Sequence, residues 1–335
     1  MELTNDTEDV AGLLRCDRPN DEMAAALIVR RRFRVLPDGT LEAPGPAELL
    51  QSLRMEPVDE GEYGLLPPDD FYPRRGTDVI ILGDAVCPEA RVATRVAVKV
   101  GPYDVALDIY GNRVWESVLG SLAPSSPEPF LKMPLIYRNA YGGASPGEYG
   151  PVPWHNNPNG KGYVLRQKDA AGMPLPNVES PEHHIKSWDD RPDPVGVGPY
   201  PISWGLRATK CFQFHPEDPG QKFTIHPEEG LFDKAHPQLS GKQVEGGTLV
   251  VNGVTERPSL QIELPPCPYE AVITVGDETV VRDLKLEEIL LDTRKGLLDL
   301  AYRKMFRYPF WAQEFRHALL RSKVSNGRPL VERGS

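Results

Sequence analysis

The sequence predicts a mostly β fold: antiparallel strands and hairpins at both ends in a sandwich-like arrangement, a long irregular middle region, and a short C-terminal helix. Three observations predict it. The chain holds 35 prolines and 30 glycines in 335 residues, and proline removes a backbone donor and breaks helix interiors. Apolar residues alternate with period two in the first and last thirds, the mark of half-buried strands. Gly, Pro, Asn and Asp clusters fall between the alternating runs, where turns are needed.

Taken in order, AAALIVRRRFRVLPDGTLEA (24–43) places Leu27, Val29, Arg31, Phe33 and Val35 on one phase and Ile28, Arg30, Arg32 and Arg34 on the other. This is a strand whose arginine phase is expected to face solvent, turned back at PDG. PAELLQSLRM (46–55) reads as a short helix with proline in its first turn. TDVIILGDA (77–85) is a short buried strand. Residues 91–115 alternate through Val92, Thr94, Val96, Val98 and Val100 and resume after GPYD, a hairpin. From 247 the strands return. GGTLVVNGVTERPSLQIELPP carries an Asn-Gly turn signal, YEAVITVGDETVVRDLKL turns at GDE, and EILLDTRKGLLDLAYRKMF turns at DTRKG. PFWAQEFRHALLRSK (309–323) reads as the C-terminal helix, with Phe310, Phe315 and Leu319 on one face. A short helix is also expected after Trp204. The whole chain, 1–335, is expected to form a single domain, with 120–246 as an irregular inserted subdomain and 309–335 as helix and tail.

The middle region loses periodicity. Prolines recur through APSSPEPF, SPGEYGPVPWHNNPNG and RPDPVGVGPYP, but aromatics accompany them, so the segment is expected to pack and not to behave as a Pro-rich linker. Its aromatics read either as a loop core or as partner contacts. The candidate contacts are Tyr141, Trp154, His155, Trp188 and Trp204. Gly142 and Gly143 are expected to supply positive φ.

Composition limits the function classes. Lys and Arg total 38 against 48 Asp and Glu, a formal charge of -10, which argues against a nucleic-acid-binding surface. Of the basic clusters, Arg30 to Arg34 reads as a strand surface, and the scattered set from Arg303 to Arg333 as the candidate for an acidic partner. The acidic start MELTNDTEDV does not read as a secretory signal, and no apolar run is long enough to span a bilayer. The expected location is the cytoplasm, with no membrane partner. The cysteines, Cys16, Cys87, Cys211 and Cys267, are widely spaced and are expected to stay reduced.

No motif carries a catalytic mechanism. Cys211 and His215, four apart, could join His183 or His184 at a metal, but the segment alternates like a strand and lacks a second ligand pair. The carboxylates Glu148, Glu179, Glu182, Asp189, Asp190 and Asp193 read as solvated loop residues. There is no nucleophile elbow, and YGGASPGEYG runs into proline instead of opening a helix toward a phosphate. The expectation is no enzyme, no cofactor and no metal. The alternative is a metal- or carboxylate-dependent hydrolase using the middle region.

The ordered segments YPRRGTDVIILGDAVCP, VAVKVGPYDVALDIYGNRVW, PEPFLKMPLIYRNAYGG, NPNGKGY, LPNVESP and RPDPVGVGPYPISW resemble the bacterial DUF2169 family over roughly 24 to 310. That resemblance implies a cytosolic adaptor, or effector chaperone, of type VI secretion. Such a protein binds an effector or its tip domain and helps load it onto the VgrG/PAAR spike. It implies no catalytic residues. A structural β module of the same apparatus is the other non-enzymatic reading. The C-terminal helix and basic tail depart from the family pattern.

Overall fold

The computed structural model describes residues 1–17, 22–72, 74–118, 121–201, 212–214, 217, 220, 223–225, 230–309, 316–325 and 328–329. Three sheets carry the architecture. The largest runs Val10–Asp17, Glu22–Val35, Leu297–Pro309, Lys285–Asp292, Asp78–Leu82. All its neighbours are antiparallel except the last pair, which is parallel. The second is antiparallel throughout: Val178–Glu179, Tyr103–Tyr110, Ala93–Val100, Gly247–Asn252, Ser259–Leu264. The third orders Glu2–Asp6, Arg316–Ser322, Tyr269–Val275, Glu278–Asp283, with the first two parallel.

The expected hairpins form where the turn chemistry put them. Val100 pairs with Tyr103, Val275 with Glu278, and Asp292 with Leu297. In the first of them alternation buries every second residue along Tyr103–Tyr110. Val96, Val98 and Val100 face Val105, Leu107 and Ile109, all inside a core cluster that draws apolar residues from all three sheets. Asp78–Leu82 is buried at every position, as its continuous apolar run requires.

Two helix expectations fail. Arg316–Ser322 is a strand, not part of a helix, and sits between two partners with Ala318 and Leu320 fully buried; residues 310–315 lie outside the described residues. The 46–55 segment makes a turn at 46–48 and then continues without regular secondary structure. Its own charges hold it there, since Glu48 accepts from the Gly45 amide at 2.7 Å and its carbonyl accepts from Arg32 at 3.0 Å. Those bonds and the burial of Leu53 override a weak local helix preference. Among the described residues no helix reaches seven residues, and none is long and apolar enough to cross a membrane.

Within 121–201 pairing is mostly limited to two-residue bridges and three-residue 3-10 turns. A separate apolar cluster centred on Trp115, Tyr141, Tyr163 and Ile185 supports it. Gly142 and Gly143 do take positive φ, 148° and 91°. Cys87 and Cys267 are free thiols.

Candidate functional site

One face of the large sheet packs on the main core. Segment 44–72 lies across the other, and the rows of that second face follow from register. Arg30 stands opposite Ala301, which stands opposite Glu288. Arg32, Asp299 and Leu290 form the next row, and Arg34, Leu297 and Asp292 the third. The small Ala301 lets Arg30 reach across the intervening strand, so that NH2 donates to Glu288 Oε1 at 2.8 Å.

The Arg30 row is therefore not solvent-facing. Arg30 is 2% exposed and donates through Nε and NH2 to both oxygens of Asp69 at 2.6 and 2.7 Å. Arg54 donates to both Glu288 oxygens at 3.0 and 2.8 Å. Lys234 Nζ bridges Asp69 at 3.2 Å and Glu288 at 3.0 Å. Burial alone would push both carboxyls up. Arg30 and Lys234 outweigh it at Asp69, as do Arg30, Arg54 and Lys234 at Glu288, and both carboxyls lie below the usual range. Next to them Asp78 goes the other way: burial, reinforced by Asp233, raises it to about 7. A bulge between Leu286 and Glu288 adds the residue that lets two consecutive glutamates serve this face. Glu287 meets Arg74 and Arg303, and Glu288 meets Arg30.

These ion pairs fasten the covering segment at several points. Arg32, paired with Asp299 on the sheet by two bonds of 2.6 and 2.7 Å, donates to the Glu48 carbonyl of the cover at 3.0 Å, Glu60 accepts from Arg294 and Lys295 at 2.8 Å each, and Arg303 donates to the carbonyls of Tyr72 and Asp70 at 2.6 and 2.8 Å. Leu53 plugs down beside Ala26 and Ile28. It fits because Gly12 has no side chain: a Cβ there would lie 2.5 Å from Leu53 Cδ1. Between the fastenings segment and sheet leave a trough of about 480 Å³, floored by Leu66, Leu82, Leu290 and Leu297 and flanked by Arg32, Asp299, Asp292 and Lys295. Around it the same segment exposes Leu49 (50%), Met55 (54%), Val58 (40%) and Leu65 (60%). The flanking charges are paired, Arg32 with Asp299, Asp292 with Arg294 and Lys295 with Glu60, and the floor between them is apolar, suited to a side chain from another polypeptide.

The residues singled out in the sequence lie elsewhere. Tyr141 is 3% exposed, its hydroxyl donates to the Asp190 carbonyl at 2.9 Å, and burial raises it to about 12. Trp154 packs edge-on to Tyr141 with centroids 6.0 Å apart and lies 5.0 Å from Tyr163. Trp188 packs against the same cluster. His155 is exposed, with its ring 4.9 Å from that of Trp154. The structure thus gathers Tyr141, Trp154 and Trp188 into a satellite core and leaves His155 on its outer side. Trp204, Cys211 and His215 lie outside the described residues. His184 pairs with Asp108 at 2.8 Å, Glu179 is buried on Arg113 at 2.6 Å, and Asp190 caps the amides of Lys186 and Ser187. Among the described residues no three His, Cys, Asp or Glu side chains gather as a metal site.

The trough and the ion network beside it were missed by sequence reasoning, but they had a signal. Arg30 follows the apolar run AAALIV, and Glu287 and Glu288 precede ILL inside a strand. Charges within an otherwise buried strand are expected to find partners.

Fold and site together define a mostly β protein that carries a covered sheet face, an apolar trough and a buried ion network. Residues 20–303 match the family described as an uncharacterized protein conserved in bacteria (DUF2169), and the chain belongs to that family. No curated protein and no solved structure matches it.

Proposed function

We propose that this chain is a non-catalytic, cytoplasmic adaptor or chaperone that binds a type VI secretion effector, or its tip domain, and helps load it onto the VgrG/PAAR spike. The observation that carries the binding half of this reading is the apolar trough with Leu49, Met55, Val58 and Leu65 exposed around it. Exposed apolar side chains grouped around a cavity mark an interaction surface. The secretion half rests on the segment resemblance. A sandwich-like packing of the sheets would provide a rigid base for such a surface. The outer strand Glu278–Asp283, exposed at all six positions, offers a second docking mode by strand addition. Tyr141, Trp154 and Trp188 would then serve mainly to hold the scaffold, with His155 the exposed member of the described candidates.

The test is co-purification with the effector encoded beside this gene. Met55→Asp with Val58→Asp changes exposed side chains only, so the variant should fold with an unaltered circular dichroism spectrum and fail to retain the effector. Retention at the native level would remove the trough from the interface. Normal effector abundance and export in a deletion strain would sink the adaptor reading itself.

A further inference from the structure

A second cavity, of about 280 Å³, opens where strand Lys285–Asp292 begins. There the sheet steps back: Lys285 is the last residue of its strand to pair, opposite Arg303, while the Leu297–Pro309 strand runs on. Four cations, Arg74, Lys285, Arg303 and Lys304, line this notch against one carboxylate, Glu287. The chain as a whole carries a charge of -10, so the surplus is local and not a reflection of composition.

The donors are partly spent and partly free. Arg74 donates through Nε to Glu287 at 3.2 Å and through NH2 to Asp70 at 2.7 Å. Its side chain is 3% exposed, yet NH1 is buried with no hydrogen-bond partner. A buried guanidinium nitrogen without an acceptor is costly, and an incoming oxygen would satisfy it. Arg303 is committed to Glu287 and to two backbone carbonyls. Lys285 is exposed and Lys304 half-buried. Neither has an ion-pair partner among the described residues, so both can turn toward a ligand. Two free ammonium groups beside an uncommitted guanidinium nitrogen suit an oxyanion. With a water occupying about 30 Å³, the notch has room for a phosphate, or for a carboxylate with its stem.

We propose that this notch is an oxyanion-binding site, taking a carboxylate or phosphate group on Arg74 NH1 with Lys285 and Lys304 closing over it. The site is separate from the apolar trough and stands whether or not the trough takes an effector.

The full chain is titrated calorimetrically with inorganic phosphate and, separately, with glutarate, with potassium chloride holding ionic strength constant. Saturable binding of at least one is expected. Phosphate the tighter ligand points to a free or esterified phosphate as the natural source, and glutarate the tighter points to an acidic side chain. Lys285→Gln with Lys304→Gln alters only side chains that have no ion-pair partner among the described residues, so it should fold normally and bind at least about tenfold more weakly. Arg74→Lys keeps the charge but loses the forked donor, and should weaken binding while the melting temperature reports whether the Glu287 contact survives. No saturable binding of either anion below about 10 mM, or equal binding by the double lysine variant (an adventitious ion only), overturns the proposal.

Discussion

Gly142 shows how closely single residues are constrained in the middle region. Its φ of 148° is one that side-chain-bearing residues rarely adopt, and a Cβ there would lie 2.1 Å from the Asn157 carbonyl oxygen. Asn157 is the buried strut of this region. Its amide nitrogen donates to the carbonyls of Tyr137 and Tyr141 at 2.7 and 3.0 Å, and its own carbonyl accepts from the Gly143 amide at 2.8 Å. Gly142→Ala should therefore lower unfolding free energy by about 3 kcal/mol, read by urea titration; a loss below about 1 kcal/mol would mean the strut can shift. Asp78 gives a prediction of a different kind. Its folded pKa of about 7 lies above the unfolded value, so the folded state holds more protons between the two. Stability must then fall as pH rises through that window. The depressed carboxyls Asp69 and Glu288 act in the opposite sense, contributing stability above the unfolded carboxylate pKa that is lost as pH drops below it. From these groups, stability is greatest close to the unfolded carboxylate pKa, about pH 4. Asp78→Asn should flatten the alkaline side, removing about 2 to 3 kcal/mol of the change between pH 5 and pH 8. Parallel pH profiles for the two proteins would show that Asp78 ionises normally.

Elements were legible where the pattern was local. The hairpins at Gly101, Gly276 and Gly296 follow from alternation interrupted by a turn residue, and each of these glycines takes positive φ, 49°, 58° and 64°. The Arg316–Ser322 strand was not legible, because RHALLRS fits either period and its partners are remote in sequence. Leu319 pairs with Thr4 on one side and Val272 on the other. A central strand recruited by two such partners answers to tertiary pairing, not to propensity. The same distinction makes a prediction. Leu320 is fully buried within the main core, so Leu320→Ala should cost about 2 to 5 kcal/mol. On an amphipathic terminal helix of marginal contact the same change would cost far less. Guanidinium denaturation separates the two, and a cost under about 1 kcal/mol would place this segment outside the cooperative core.

At the scale of the whole molecule, sequence reading found the sheets and expected a packed middle region; of its candidate contacts Tyr141, Trp154 and Trp188 join the satellite core, while His155 is exposed. The trough escaped it because its parts come from remote segments: Leu53 and Leu66 from the cover, Leu82, Leu290 and Leu297 from three strands. The ion network beside it has the same non-local origin and a definite charge count. Arg30, Arg54 and Lys234 surround Asp69 and Glu288, three positive charges against two negative, all with side chains no more than 8% exposed. Removing one partner of a buried pair is expensive because it strands a charge, but here the two directions are unequal. Arg30→Met keeps the apolar stem and leaves two cations facing two carboxylates, a neutral set. Glu288→Gln leaves three cations around Asp69 alone. The second change should therefore cost more, about 3 to 5 kcal/mol, although it alters far fewer atoms, and it should also loosen the 44–72 cover, whose Arg54 is tied to the sheet through Glu288. Denaturant titration gives the two energies, and hydrogen exchange of the Arg54 and Asp69 amides reports the cover. If Arg30→Met proves the costlier, packing volume and not charge balance governs this face.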